Sequence, residues 1–118
     1  MEYKYIPKAC QGKDAKFDGH VMLEGFEFDA KMAALEKLHE EGIDFMKMAE
    51  MKDQPFEVMK IMRRLVNETK DLWKSCEIKE KSTGVELKSR EDVSKYNAAH
   101  KILTDVAMHC LGGGGLGN

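Results

Sequence analysis

The chain has little of what marks a secreted or membrane-spanning protein. Its three cysteines, Cys10, Cys76 and Cys110, form an odd set without Cys-x-x-Cys spacing, which favours reduced cytosolic thiols over a disulfide framework. No stretch approaches the ~18–20 apolar residues that a membrane helix requires, and residues 1–8 lack the apolar core of a secretory signal. We therefore expect a soluble cytosolic protein.

The sequence also lacks the patterns of catalytic and metal sites. It contains neither His-Glu-x-x-His nor Gly-x-Ser-x-Gly. His109 and Cys110 are adjacent, so on a helix their side chains point about 100° apart and cannot share one metal ion. The glycines at 112–115 follow a predicted helix, whereas a phosphate-binding loop connects a strand to a helix. We therefore expect no enzyme, no cofactor and no metal.

The chain also lacks a large excess of positive or negative charge. Nineteen basic and 21 acidic residues give a net charge of −2, which disfavours a nucleic-acid-binding protein because such proteins need positive charge against phosphates. The 118 residues are enough for one domain with a buried core. Nine methionines are present, and they either fill that core or form an adaptable binding surface.

Hydrophobic periodicity predicts helices near residues 29–41, 43–52, 56–74 and 90–111. Asp29 is a suitable N-cap for the first helix and Gly42 a suitable residue to end it. In 56–74 the apolar and charged residues separate completely around the helical wheel, which predicts that Leu65 and Trp73 are buried. Ser89 is a suitable N-cap for the last helix.

Two regions alternate as strands do. The apolar residues of 21–28 predict a short hairpin or extended pair around Glu24-Gly25, and residues 75–88 predict a small exposed hairpin or extended loop. The sequence thus predicts a mostly α fold: one small domain, residues 1–111, of about four helices with minor N-terminal extended or β structure. Residues 112–118 are predicted to be a disordered tail because glycine has a high backbone entropy.

The short helix predicted over 43–52 is apolar on more than one side. Ile43 and Met46 face one way, whereas Phe45, Met48 and Ala49 face nearly the other, with Met51 between them. A helix of this kind is either deeply buried or bridges two surfaces. Phe45, Met48, Ala49 and Met51 are therefore candidates for a partner or oligomer interface. The alternative is that the segment with Phe26 and Phe28 covers them.

The glycines after the last predicted helix carry a family resemblance. Every glycine codon begins with GG, so Gly112, Gly113, Gly114 and Gly115 permit the heptamer GGGGGGN, a slippery site for −1 ribosomal frameshifting. In this the chain resembles the lambda G-like tail assembly chaperones of long-tailed bacteriophages. In that family a short protein ends just past such a site, and some ribosomes make a longer fusion there.

The resemblance implies a non-enzymatic homo-oligomer in the host cytoplasm that is absent from the mature virion. It would bind the tape measure protein and help to recruit tail tube protein. Neither nucleic acid nor membrane is expected as a partner. The alternative is a small helical DNA-binding or regulatory protein, with a helix-turn-helix over residues 38–51 around Gly42. Asp44 and Glu50 make the second helix of that motif poor at reading bases.

Overall fold

The computed structural model describes residues 1–43, 47, 50, 51 and 53–113 of the chain. Within them lies a sheet of four antiparallel strands in the order β1-β2-β3-β4. The strands are β1 (Glu2–Tyr5), β2 (Phe17–Glu24), β3 (Trp73–Glu80) and β4 (Glu86–Leu87). The helices of the same residues are α1 (Phe28–Glu40), α2 (Pro55–Thr69), α3 (Arg90–Lys95) and α4 (His100–Met108). Short 3-10 turns accompany them at Lys8–Cys10, Lys70–Leu72 and Asn97–Ala99.

This sheet corrects the mostly α prediction. Strands hold 21% of the structure and helices 55%, so the fold is α+β, and its sheet is more than minor N-terminal structure. The central pairing of the sheet joins β2 to β3, with Phe17 opposite Glu80 and Val21 opposite Cys76. These partners lie more than 50 positions apart in the chain. Local hydrophobic periodicity carries no information about such a pairing.

The core has two parts that meet at α4. One side of α4 packs on the sheet through Ile102 and Val106, together with Val93 of α3 and with Cys110 of the turn that follows α4. The other side carries Ala107, and Leu111 follows it; both pack against Leu38 of α1 and Leu65 of α2. Ion pairs between Arg64 and Glu41 and between Lys37 and Glu68 hold α1 and α2 side by side. Helix α4 therefore lies between the sheet and the α1–α2 pair.

Helix α1 ends at the predicted glycine. Gly42 has φ +80°, which a residue with a Cβ rarely adopts. Its N–H donates to the carbonyl of His39, and the N–H of Ile43 donates to the carbonyl of Leu38. These two bonds form a Schellman motif, and Leu38 and Ile43 share an apolar cluster beneath it. The N-cap is Glu27, two positions before the predicted Asp29.

The prediction of one helix over 56–74 is correct at its start and wrong at its end. Pro55 occupies the first turn of α2, where its missing N–H is tolerated. The helix stops at Thr69, and Trp73 is the first residue of β3, half-buried against the sheet core. Leu65 is fully buried, as predicted.

The prediction of one helix over 90–111 is also only partly correct. The Ser89 side chain caps α3 by accepting from the Asp92 N–H, 3.1 Å away. The helix then breaks at Tyr96, whose backbone is extended, and resumes as α4. A wider helical turn, His109–Gly113, follows α4 and contains Gly112 at φ 149°.

Of the two predicted hairpins, the structure contains one. Residues 73–87 do form a hairpin, β3–β4, but β3 is a central strand whose Cys76 and Ile78 are buried. The hairpin expected around Glu24-Gly25 is wrong, because β2 ends at Glu24 and Phe28 begins α1. Most of the helix predicted over 43–52 lies outside the described residues.

Candidate protein-binding surface

Two large apolar side chains stand in solvent at the start of α2. Phe56 is 66% exposed and Met59 is 67% exposed, and we call these two residues the α2 patch. Leu65 marks the buried side of this helix, and at about 100° per residue Phe56 lies on the opposite side of the wheel. The ammonium of Lys60 sits 4.8 Å from the centre of the Phe56 ring, a cation–π contact that covers one face of it.

The α2 patch adjoins the segment in which the sequence placed an interface. Of the four predicted interface residues, the structure describes Met51, which is half-buried. Phe45, Met48 and Ala49 lie outside the described residues. The carbonyl of Met51 accepts a hydrogen bond from the N–H of Gln54 at 2.9 Å, directly before α2 begins. Whether 43–52 forms a two-sided helix stays a prediction.

A second exposed apolar pair lies on α1. Phe28 is 72% exposed and Met32 is 39% exposed, one turn further along. Asp29, Glu36 and Glu40 are exposed beside them, about 40–120° around the helix from the pair. We call these five residues the α1 face. It combines an apolar stripe with a carboxylate flank.

A groove opens between α4 and the segment that joins β1 to β2, and we call it the lysine groove. Its volume is about 700 Å³. The lining residues are Lys8, Ala9, Ala15, Lys16, Phe17, Met62, Ala98, Lys101, Ile102, Thr104, Asp105 and Met108. The three lysines are exposed, and most of the remaining side chains are apolar. The groove therefore suits a ligand with an apolar body and negative charge.

The one carboxylate of the lysine groove is already engaged within the chain. Asp105 Oδ1 accepts from the Tyr5 hydroxyl at 2.8 Å, and Oδ2 accepts from the Lys8 N–H at 2.7 Å. Burial and the bond to Asp105 raise the Tyr5 pKa well above its usual value. These bonds fasten the end of β1 and the turn after it to α4, which fixes one wall of the groove.

His109, which the sequence analysis considered only as a metal ligand, lies beside this wall. The Tyr3 hydroxyl and His109 Nε2 are 2.8 Å apart. Burial lowers the His109 pKa below 6.5, so the imidazole is neutral at pH 7 and can pair with the hydroxyl. The contact joins residues 106 positions apart. Sequence spacing gives no signal for a pair of this kind.

The cysteines have the properties of structural thiols. Cys76 and Cys110 are buried and Cys10 is half-buried, and burial raises the pKa of each to about 11. Nucleophilic and metal-binding cysteines need the thiolate, which these environments disfavour.

Within residues 1–43 and 53–113, no cluster of three or more potential metal-ligating side chains occurs. The same residues contain no helix that is long and apolar enough to span a membrane.

The predicted frameshift-site residues are described in part. Gly112 is buried and Gly113 belongs to the last helical turn, while Gly114 and Gly115 lie outside the described residues. Gly112 has a positive φ, which glycine adopts more readily than other residues, so the fold itself favours glycine at this position.

The helix-turn-helix alternative is also described in part. Its first helix is the end of α1, with Leu38 buried, and most of its second helix falls outside.

Comparison of the chain with models of protein families, with curated proteins and with solved structures gave no match.

Proposed function

We propose that this protein is a non-catalytic tail assembly chaperone of a long-tailed phage. It binds the tape measure protein and helps to recruit tail tube subunits. The observation that carries the proposal is the α2 patch, in which Phe56 and Met59 are two-thirds exposed at the start of an otherwise well-packed helix. Burying one such side chain fully contributes about 1.5–3 kcal/mol, so a partner that covers both would form a more stable complex.

The mechanism is competition for apolar surface. A long helical client exposes apolar stripes that otherwise drive aggregation. The α2 patch covers part of such a stripe, and Met59, with its flexible and polarizable side chain, adapts to clients of irregular shape. Several copies along one client add avidity, so each contact can be weak.

The glycine run provides the second half of the proposal. A −1 frameshift at the codons of Gly112–Gly115 makes a longer form with an added domain, which brings tail tube subunits to the covered client. The chaperone works in the host cytoplasm and leaves before the virion is complete. The coding nucleotides across these four codons test this half directly. A GGGGGGN heptamer and a longer product of the same gene are expected.

The client-binding half is tested with a tape measure fragment of one or two helices, so that avidity does not contribute. Wild-type protein should bind the fragment in calorimetry and keep it soluble on co-expression. The variant Phe56→Ser/Met59→Ser should lose at least about tenfold in affinity, since it removes two coverable side chains. The variant Phe28→Ser/Met32→Ser is a matched control: it removes the same two residue types from another exposed site.

The result separates the outcomes. Weaker binding by the α2 variant alone supports the α2 patch as the client site. No binding by wild-type protein, or equal affinity of both variants, contradicts the proposal. Circular dichroism of both variants should match the wild type because all four side chains are exposed.

A further inference from the structure

The lysine groove carries a net positive charge. Lys8, Lys16 and Lys101 line it, and none of them forms an ion pair with any residue the structure describes. Asp105, the acidic residue among the described lining residues, accepts hydrogen bonds from neutral groups and keeps its charge, so three lysines and one carboxylate leave a net charge of +2. The groove therefore presents three ammonium groups beside partly exposed apolar side chains.

The size of the groove suits side chains from a partner. Its volume of about 700 Å³ lies within the ~300–1,000 Å³ range of ligand-binding clefts. The apolar surface that it leaves open comes from half-buried side chains, among them Ala9, Ala15, Met62 and Met108, while Phe17 and Ile102 are almost fully buried. An occupant that offers only charge would leave this apolar surface wet. The fitting occupant carries large apolar side chains flanked by carboxylates.

The α1 face of the same protein has this composition. Phe28 and Met32 lie one helical turn apart, and the carboxylates of Asp29, Glu36 and Glu40 run along one side of them. None of the three carboxylates forms an ion pair within residues 1–43 and 53–113. The lysines of α1 point elsewhere, since Lys37 pairs with Glu68 of α2 and Lys31 is half-buried on the inner side. His39 is exposed and follows Phe28 and Met32 on the same side of the helix.

We infer that the α1 face of one copy docks into the lysine groove of a second copy. Phe28 and Met32 enter the groove and cover its partly exposed apolar side chains, while Asp29, Glu36 and Glu40 meet Lys8, Lys16 and Lys101. Three carboxylates face three ammonium groups, and two exposed apolar side chains meet an apolar cleft. Both halves of the contact are surfaces of this one chain.

The contact has a consequence for the assembly. The α1 face and the lysine groove are different surfaces, so the interface is heterologous and each copy keeps one unused half. Association therefore continues head to tail into a ring or an open chain. The α2 patch takes no part in this contact, so every copy in an array would still present it. The inference stands on the two complementary surfaces and does not require the proposed function.

The test is a charge swap in the full chain. The groove variant is Lys8→Glu/Lys16→Glu/Lys101→Glu, and the helix variant is Asp29→Lys/Glu36→Lys/Glu40→Lys. Sedimentation equilibrium from micromolar concentrations to about 1 mM covers weak as well as tight association. The mass of the wild-type protein should rise with concentration, less so at high salt because exposed charges are screened. Each variant alone should associate at least about tenfold more weakly, because like charges then face each other.

Mixing the two variants gives the decisive reading. The basic α1 face of the helix variant then fits the acidic groove of the groove variant. The unchanged acidic α1 face of the groove variant fits the unchanged basic groove of the helix variant. The mixture should therefore regain the wild-type masses. The control variant Lys4→Glu/Lys74→Glu/Lys79→Glu changes the net charge as much as the groove variant does, at exposed positions of β1 and β3 outside the groove. It should associate as the wild-type protein does.

Three outcomes overturn the inference. They are a wild-type protein that is monomeric throughout, a groove variant that associates normally, and a mixture that stays monomeric although both variants are folded by circular dichroism. Client-fragment affinity is measured on the same variants. Because the α2 patch is intact in them, a loss of self-association without a loss of client binding separates this inference from the proposed function.

Discussion

The Tyr5 ring lies stacked on the His109 imidazole, with ring centroids 4.0 Å apart and 16° between the ring planes. This stack joins β1 to the helical turn after α4, next to the bond between Tyr5 and Asp105. Lys8 follows three residues later and lines the lysine groove. The shape of the groove therefore depends on the contact between the first residues and the last helix of the described chain.

The half-buried His109 predicts a pH dependence of stability. Burial lowers the folded-state pKa of His109 below the 6.5 of the unfolded chain. The unfolded chain then binds a proton more readily, so acidification favours unfolding. The free energy of unfolding should fall as the pH drops below 6.5, and it should be unaffected by this group at higher pH. Urea titrations at pH 7.5 and 5.5 measure the effect.

The variant His109→Phe is the control for this dependence. It keeps an aromatic ring beside Tyr5 and removes the titrating group. Its loss of stability between pH 7.5 and 5.5 should be smaller than that of the wild-type protein. Equal losses in both proteins would show that His109 does not titrate differently in the folded state.

Leu65 of α2 tests the packing of the hydrophobic core. It is fully buried against Leu38 of α1 and against Ala107 and Leu111 at the end of α4. Leu65→Ala should lower the free energy of unfolding by about 2–5 kcal/mol, through lost transfer energy and the cavity left behind. Met59→Ala in the same helix removes an exposed side chain and should change it by no more than about 0.5 kcal/mol. Thermal or urea unfolding compares them, and similar effects would contradict the assigned packing of α2.

The close pairing of β2 and β3 depends on Gly19. A Cβ at this position would lie 1.9 Å from the carbonyl oxygen of Glu77, and φ is +137°. Gly19→Ala must therefore push the two central strands apart. Gly12 also has a positive φ, +84°, but a Cβ there meets nothing within 4 Å. Gly12→Ala should cost only the backbone strain, about 1–2 kcal/mol, and Gly19→Ala should cost clearly more. Equal costs would mean that the strands are not this close.

The three cysteines should react slowly in the folded protein. Each pKa is raised to about 11 by burial, so little thiolate exists at pH 8. A thiol reagent such as iodoacetamide should label native protein far more slowly than urea-unfolded protein, with Cys10 the first to react because it is half-buried. Fast labelling of Cys76 or Cys110 in native protein would contradict the described core.

The sequence predicted the parts of the fold that local chemistry determines. The cap at Ser89, the glycine that ends α1 and the amphipathic start of α2 follow from residues within one or two helical turns. The end of α2 could not be placed in this way. Leu72 and Trp73 continue the apolar arc of the wheel, yet they pack against the sheet core from a 3-10 turn and a strand.

The long-range features were outside the reach of sequence patterns. The pairing of β2 with β3 and the contact between Tyr3 and His109 join distant segments. The lysine groove forms where residues 8–17 meet α4, and its lysines are unremarkable in the sequence. The exposure of the apolar pairs on α1 and α2 could not be predicted for another reason. Periodicity shows that a helix has an apolar face, but it does not show which residues of that face a neighbouring element covers.

Site-specific photo-crosslinking tests the proposed client-binding surface most directly. A benzophenone side chain placed at Phe56, in cells that also make the tape measure protein of the same genome, should yield an adduct that mass spectrometry identifies as this protein joined to the proposed client. The same probe at Thr83, which is exposed in the β3–β4 hairpin, should give no such adduct. No adduct from position 56, or equal adducts from both positions, would contradict the account.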